Sequence, residues 1–176
     1  DRSLLLLTPM EAAAPGRLVQ DLGRRLAVDF NRRHGRAGPL FSGRFRSTVL
    51  EPSAHLVDAM LYVEQLPLRQ GDGDPATWRW SSAGGHCGTS RDALVTDHQA
   101  FWATGNTPFD REVRHGARLA EPLKDAALQR FDGALAGGWP IGDATFLAGV
   151  AQRIARRVVP RTPGRPRKPI TELSPI

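Results

Sequence analysis

The chain has 176 residues, an apolar fraction of 40% and a formal net charge of +6, which leaves room for one domain with appendages and a real core. Fourteen prolines and eighteen glycines imply many loops, and a single cysteine, Cys87, excludes an internal disulfide or a cysteine metal cage and fits a reducing cytoplasm. The apolar run at residues 4–7 is far short of the roughly 20 residues that span a bilayer, so no membrane partner is expected.

Residues 4–8, closed by Pro9, predict a short strand buried on both faces. From Gly16 to about Arg33, Leu18, Leu22, Leu26 and Phe30 recur every four residues. This is the stripe of an amphipathic helix, with Arg17, Arg24, Arg25, Arg32 and Arg33 elsewhere on its circumference. A turn follows at residues 34–39. Residues 40–49 then resemble an extended segment, in which Arg44 and Arg46, two apart, share one face.

Ser53 is the expected cap of a helix over residues 54–65 that ends near Pro67. Leu56, Met60 and Val63 form its apolar stripe, and His55, Asp58, Tyr62 and Leu66 share the neighbouring face. Residues 78–85 read as a loop whose tryptophans, Trp78 and Trp80, are expected to plug the core, base-stacking platforms being the alternative. Helices are predicted over residues 108–119, 122–135 and 143–157. Gly137 to Pro140 breaks the last two, and Asp143 caps the third. The proline- and charge-rich residues 160–176 read as a flexible basic tail.

Charge is uneven along the chain. Residues 13–50 carry eight arginines against Asp21 and Asp29, while residues 151–170 carry seven basic residues and no acidic one. Of the 24 basic residues only Lys124 and Lys168 are lysines. Arginine suits bidentate phosphate and guanine contacts, although genomic base composition can also enrich it.

Three constellations could carry chemistry. Tyr62, the only tyrosine, could attack a DNA phosphodiester and hold the strand as a phosphotyrosine; an ordinary core phenol is the alternative. The arginine block of Arg17, Arg24, Arg25, Arg32, Arg33, Arg36, Arg44 and Arg46 could cradle a nucleic-acid backbone, the alternative being a solvated cationic face. Arg165, Arg167 and Lys168, in Gly-Arg-Pro-Arg-Lys, could enter a narrow minor groove or belong to an inert tail. The histidines, His34, His55, His86, His98 and His115, are scattered, and no metal ligands are expected among them.

Taken together, several segments resemble the REP-associated tyrosine transposases, small single-tyrosine enzymes that act on single-stranded DNA hairpins. The segments are Leu-Leu-Leu-Thr-Pro at residues 5–9, Leu-Gly-Arg-Arg at 22–25, Phe-Asn-Arg-Arg-His-Gly-Arg at 30–36 and Gly-Arg-Phe-Arg-Ser at 43–47. They continue with Tyr62-Val63-Glu64, Pro67, Arg69, Trp-Ser-Ser at 80–82 and Gly-Arg-Pro-Arg-Lys at 164–168. The resemblance implies an α+β fold, a ferredoxin-like sheet-and-helix domain acting as a homodimer, with Tyr62 as nucleophile and Mg2+ or Mn2+ bound in intact relatives. It departs at the metal, because Arg2 and Leu4 stand at the family's two histidine positions and Leu66 at its asparagine position. The family's first strand, first helix and second strand would precede Asp1, so the sheet is expected to be incomplete and the chain a truncated copy.

The resulting organisation is a transposase-like DNA-binding domain at residues 1–105, a helical extension at 106–159 and a basic tail at 160–176. The expected activity is hairpin binding with little or no cleavage, in the cytoplasm. The rivals are an active transposase with substitute ligands such as Glu64, Asp58 and His55, a domesticated non-catalytic regulator, and a chain too incomplete to fold stably.

Overall fold

The structure, a computed structural model, describes residues 2–160. Among these residues there are eight helices and no sheet. They are α1 (Ala14–His34), α2 (Pro52–Glu64), α3 (Leu66–Gln70), α4 (Ala83–His86), α5 (Gln99–Trp102), α6 (Pro108–Ala120), α7 (Asp125–Gly137) and α8 (Ala144–Arg153). None is long and apolar enough to cross a membrane.

Helix α2 is the axis of the fold. It opens on a proline in its first turn, where the missing N–H is no loss, and it is apolar on nearly every side. Such a helix has to be enclosed, and α3, α5, α6 and α7 pack around it. Ala59 and Tyr62 meet Phe131 and Ala134 of α7 and Ile141. Leu56 and Met60 meet Phe101 of α5, and Leu61 meets Ala83 of α4 and Leu119 of α6. The core therefore draws on residues from both sides of position 105.

Gln65, buried just past α2, fixes the next turn of the chain. Its Nε2 donates to the carbonyls of Leu119 and Glu121, and its Oε1 accepts from the Leu123 amide. The later helices start where their caps dictate. Thr107 Oγ1 accepts from the Asp110 amide ahead of α6, and Asp143 Oδ1 accepts from the Phe146 amide ahead of α8. Gly138, in the left-handed conformation at φ 63°, ends α7.

The expected ferredoxin-like sheet is absent, and the α+β assignment is overturned. The one strand-like pairing among the described residues is a parallel bridge between Leu50 and Ile141. Residues 4–8 are irregular and pair with no strand among the described residues. Leu4 and Leu6 turn toward the core, whereas Leu5 and Leu7 are exposed, so the run is buried on one face rather than two. Residues 40–49 are irregular. Extended segments become a sheet only when they share a hydrogen-bonded ladder, and here the helices take up the apolar side chains instead.

Two smaller expectations change as well. Glu51, not Ser53, stands at the start of α2, and Ser53 Oγ donates to its carboxylate at 2.7 Å. Trp80 is no core plug, being 77% exposed with the Arg79 guanidinium 4.8 Å from its ring centre.

Candidate functional site

Three groups of side chains carry the chemistry, and the structure keeps the first apart from the other two. The arginine surface comes first. Helix α1 has no buried residue and no substantial packing against another helix. At 3.6 residues per turn, Arg17, Arg24, Arg25 and Arg32 fall within roughly 100° of arc, while Arg33 lies on the side of the leucine stripe. Gly35, left-handed at φ 59°, closes the helix. The loop beyond it doubles back: Asn31 Nδ2 donates to the Gly38 carbonyl, and the Phe41 ring lies beside Gly23.

Several of these arginines already have acidic partners. Arg17 pairs with Glu11 at 2.5 Å and Arg24 with Asp21 at 2.7 Å. Asp29 takes both Arg32 and Arg33, at 3.2 and 2.8 Å. Among the described residues Arg25, Arg36, Arg44 and Arg46 have no carboxylate partner, and all four are exposed. Arg36 stacks 5.5 Å from the Phe30 ring centre. Arg165, Arg167 and Lys168 lie outside the described residues.

Tyr62 lies elsewhere, 3% exposed in the core. Its ring rests on Phe131 at 4.9 Å, and its hydroxyl donates to Asp132 Oδ1 at 2.6 Å. The Arg69 guanidinium covers the ring at 4.6 Å and donates to the Tyr62 carbonyl, while Arg2 reaches Asp132 at 3.5 Å. Burial, together with the hydrogen bond and charge of Asp132, pushes the phenol up to about 12. A tyrosine nucleophile needs an open path to phosphorus and a readily lost proton; Tyr62 has neither here. It pins α2 to α7.

The positions that would hold a divalent ion in the resembling family do not fit one. Arg2 is a cation beside Asp132, Leu4 packs into the core, and Leu66 has no donor atom. The substitute ligands do not assemble either. Asp58 is taken by Arg118 at 2.7 Å and Arg130 at 3.5 Å, and His55 lines a separate groove with Trp139 and Ile141.

Glu64 instead has two partners that sequence reasoning left scattered. Its Oε1 stands 2.5 Å from His86 Nδ1 of α4, and its Oε2 stands 2.6 Å from His115 Nε2 of α6. Ser82 Oγ donates to Oε1 at 2.6 Å. Asp97 Oδ1 lies 3.6 Å from the far nitrogen of His86, and His115 Nδ1 is buried without a partner. Burial works to raise the Glu64 carboxyl, but the hydrogen bonds from His115 and His86 outweigh it and hold the group down at about 2. An ionised carboxylate is thus enclosed by two imidazoles and a hydroxyl. The partners lie 22 and 51 residues away in sequence, and no local spacing announces them.

No protein-family model, curated protein or solved structure matches the chain.

Because Tyr62 is the only tyrosine, its titration can be read without ambiguity. Tyrosinate absorbance in the folded protein is expected to appear near pH 12 rather than near 10. The folded state holds this proton more tightly than the unfolded chain. Its contribution is therefore complete below pH 10 and is lost as pH rises from 10 toward 12. A midpoint near 10 in protein still folded by circular dichroism would contradict the buried placement.

Proposed function

We propose that the protein binds the sugar–phosphate backbone of nucleic acid, hairpins of single-stranded DNA in particular, through the exposed arginines of α1 and the loop behind it, without breaking the strand at Tyr62. The observation that carries this reading is the exposure of Arg25, Arg36, Arg44 and Arg46 with no carboxylate partner among the described residues, on a segment whose eight arginines face two aspartates. Guanidinium groups held on a helix and its return loop can track a phosphate chain and release its counterions. Hairpin DNA is favoured over other polyanions by the resemblance to single-tyrosine transposases. The same resemblance supplies no cleavage, since Tyr62 is enclosed and its neighbours Arg2 and Arg69 repel a metal cation.

The test is incubation with a labelled hairpin oligonucleotide in Mg2+ or Mn2+. Reversible binding is expected by fluorescence anisotropy, with no denaturant-resistant protein–DNA adduct, and Tyr62→Phe should bind as the wild type does. A covalent adduct that disappears in Tyr62→Phe would establish cleavage and overturn this reading.

A further inference from the structure

We propose that Glu64, His86 and His115 form a binding site for a borderline divalent metal of the Zn2+ type. Two imidazole nitrogens and one carboxylate oxygen are what Zn2+ accepts from proteins when it keeps a fourth position for water or another ligand. The three donor atoms lie within 4.8 Å of one another, and all three residues are buried. They come from three separate helices, α2, α4 and α6. The arrangement is therefore a product of the tertiary fold rather than of one helix face.

Bond lengths can be checked against this geometry. Ligands about 2.0–2.2 Å from a tetrahedral ion stand roughly 3.4 Å apart. That value falls between the 2.5 and 2.6 Å of the two Glu64 contacts and the 4.8 Å limit of the triad. A retreat of the carboxylate by about one ångström, through its own χ angles, accommodates the ion. The metal replaces the two N–H hydrogens that now face Glu64, and each imidazole then carries its proton on the opposite nitrogen.

The opposite nitrogen of His86 has a partner of its own. His86 Nε2 faces the Asp97 carboxylate at 3.6 Å, and Asp97 also accepts from Trp102 Nε1 at 3.2 Å. A carboxylate behind a metal-bound histidine is the common means of fixing the ring and raising its basicity. His115 Nδ1 is buried with no partner, so this support stands behind His86 alone. His115 also forms part of the wall of a groove of about 370 Å3 lined by Val57, Thr104 and Arg118, so the triad is one imidazole away from solvent. A carboxylate serving only to satisfy two core histidines does not need Asp97 behind one of them.

The experiment uses the full chain without a histidine tag, stripped with a chelator and titrated with Zn2+, and separately with Co2+. One equivalent is expected to bind and raise the melting temperature, with the visible absorption of tetrahedral Co2+, while Mg2+ does neither. The double variant His86→Asn, His115→Asn should lose the bound equivalent. Asp97→Asn leaves the three donors in place and should weaken binding about 10–100-fold. Wild-type protein that shows no melting shift and no tetrahedral Co2+ spectrum overturns the site, as does a folded double variant that still binds one equivalent. Should the double variant not fold, the wild-type spectrum and the Asp97→Asn affinity decide, and an unchanged affinity in Asp97→Asn also counts against it.

Discussion

Glu64→Ala is expected to destabilise the metal-free protein by about 3–5 kcal/mol. Removing one partner of a buried, hydrogen-bonded charge cluster leaves the others desolvated and unpaired, and that penalty is of this order. Here the residue left behind is not one group but three: His86, His115 and Ser82 all aim at the lost carboxylate. Since small domains are stable by only about 5–15 kcal/mol, the variant should be close to unfolding at room temperature. Glu64→Gln is the informative contrast. It keeps the volume and an acceptor oxygen, and an imidazole can change tautomer to accept from the new amide, so the loss should be about 1–2 kcal/mol. Urea midpoints with an unchanged slope would measure both. A Glu64→Ala protein within 1 kcal/mol of wild type would show that the triad does not hold α2, α4 and α6 together.

Replacing Arg25, Arg36, Arg44 and Arg46 together with serine should weaken hairpin binding about a hundredfold to a thousandfold at low salt. Each exposed guanidinium that meets a phosphate contributes up to about 1 kcal/mol, and these four have no carboxylate of their own to give up first. Replacing Arg17, Arg24, Arg32 and Arg33 should do less, because Glu11, Asp21 and Asp29 already hold them. None of the eight is buried, so both sets should fold normally and melt close to wild type. Equal losses from the two sets would mean that net charge alone, not a defined surface, attracts the nucleic acid.

The parts of the fold that were legible in the sequence are those set by local chemistry. The leucine stripe and Gly35 mark α1. Asp143 announces α8 through its cap, and Gly138 ends α7. The sheet was misread because the apolar run at residues 4–7 looks the same whether it enters a sheet or lays one face, Leu4 and Leu6, on a helical core. The resemblance to a sheet-containing family reinforced that error. Tyr62 stood out by its uniqueness, but its environment depends on Asp132 and Arg2, 70 and 60 residues away, which only the tertiary fold brings together. The Glu64 triad was invisible for the same reason: His86 and His115 follow no metal-ligand spacing, and the helix packing alone makes them neighbours. The arginine surface was legible as composition, whereas its division into paired and unpaired members needed the positions of Glu11, Asp21 and Asp29.

The most direct measurement is the affinity of the full chain for a single-stranded hairpin across a series of salt concentrations. Four phosphate contacts predict that the logarithm of the association constant falls with the logarithm of salt at a slope of about −3, from roughly −0.7 per contact on single strands. The variant lacking Arg25, Arg36, Arg44 and Arg46 should give a markedly shallower slope. A wild-type affinity indifferent to salt, or no binding even at the lowest salt, would contradict the account.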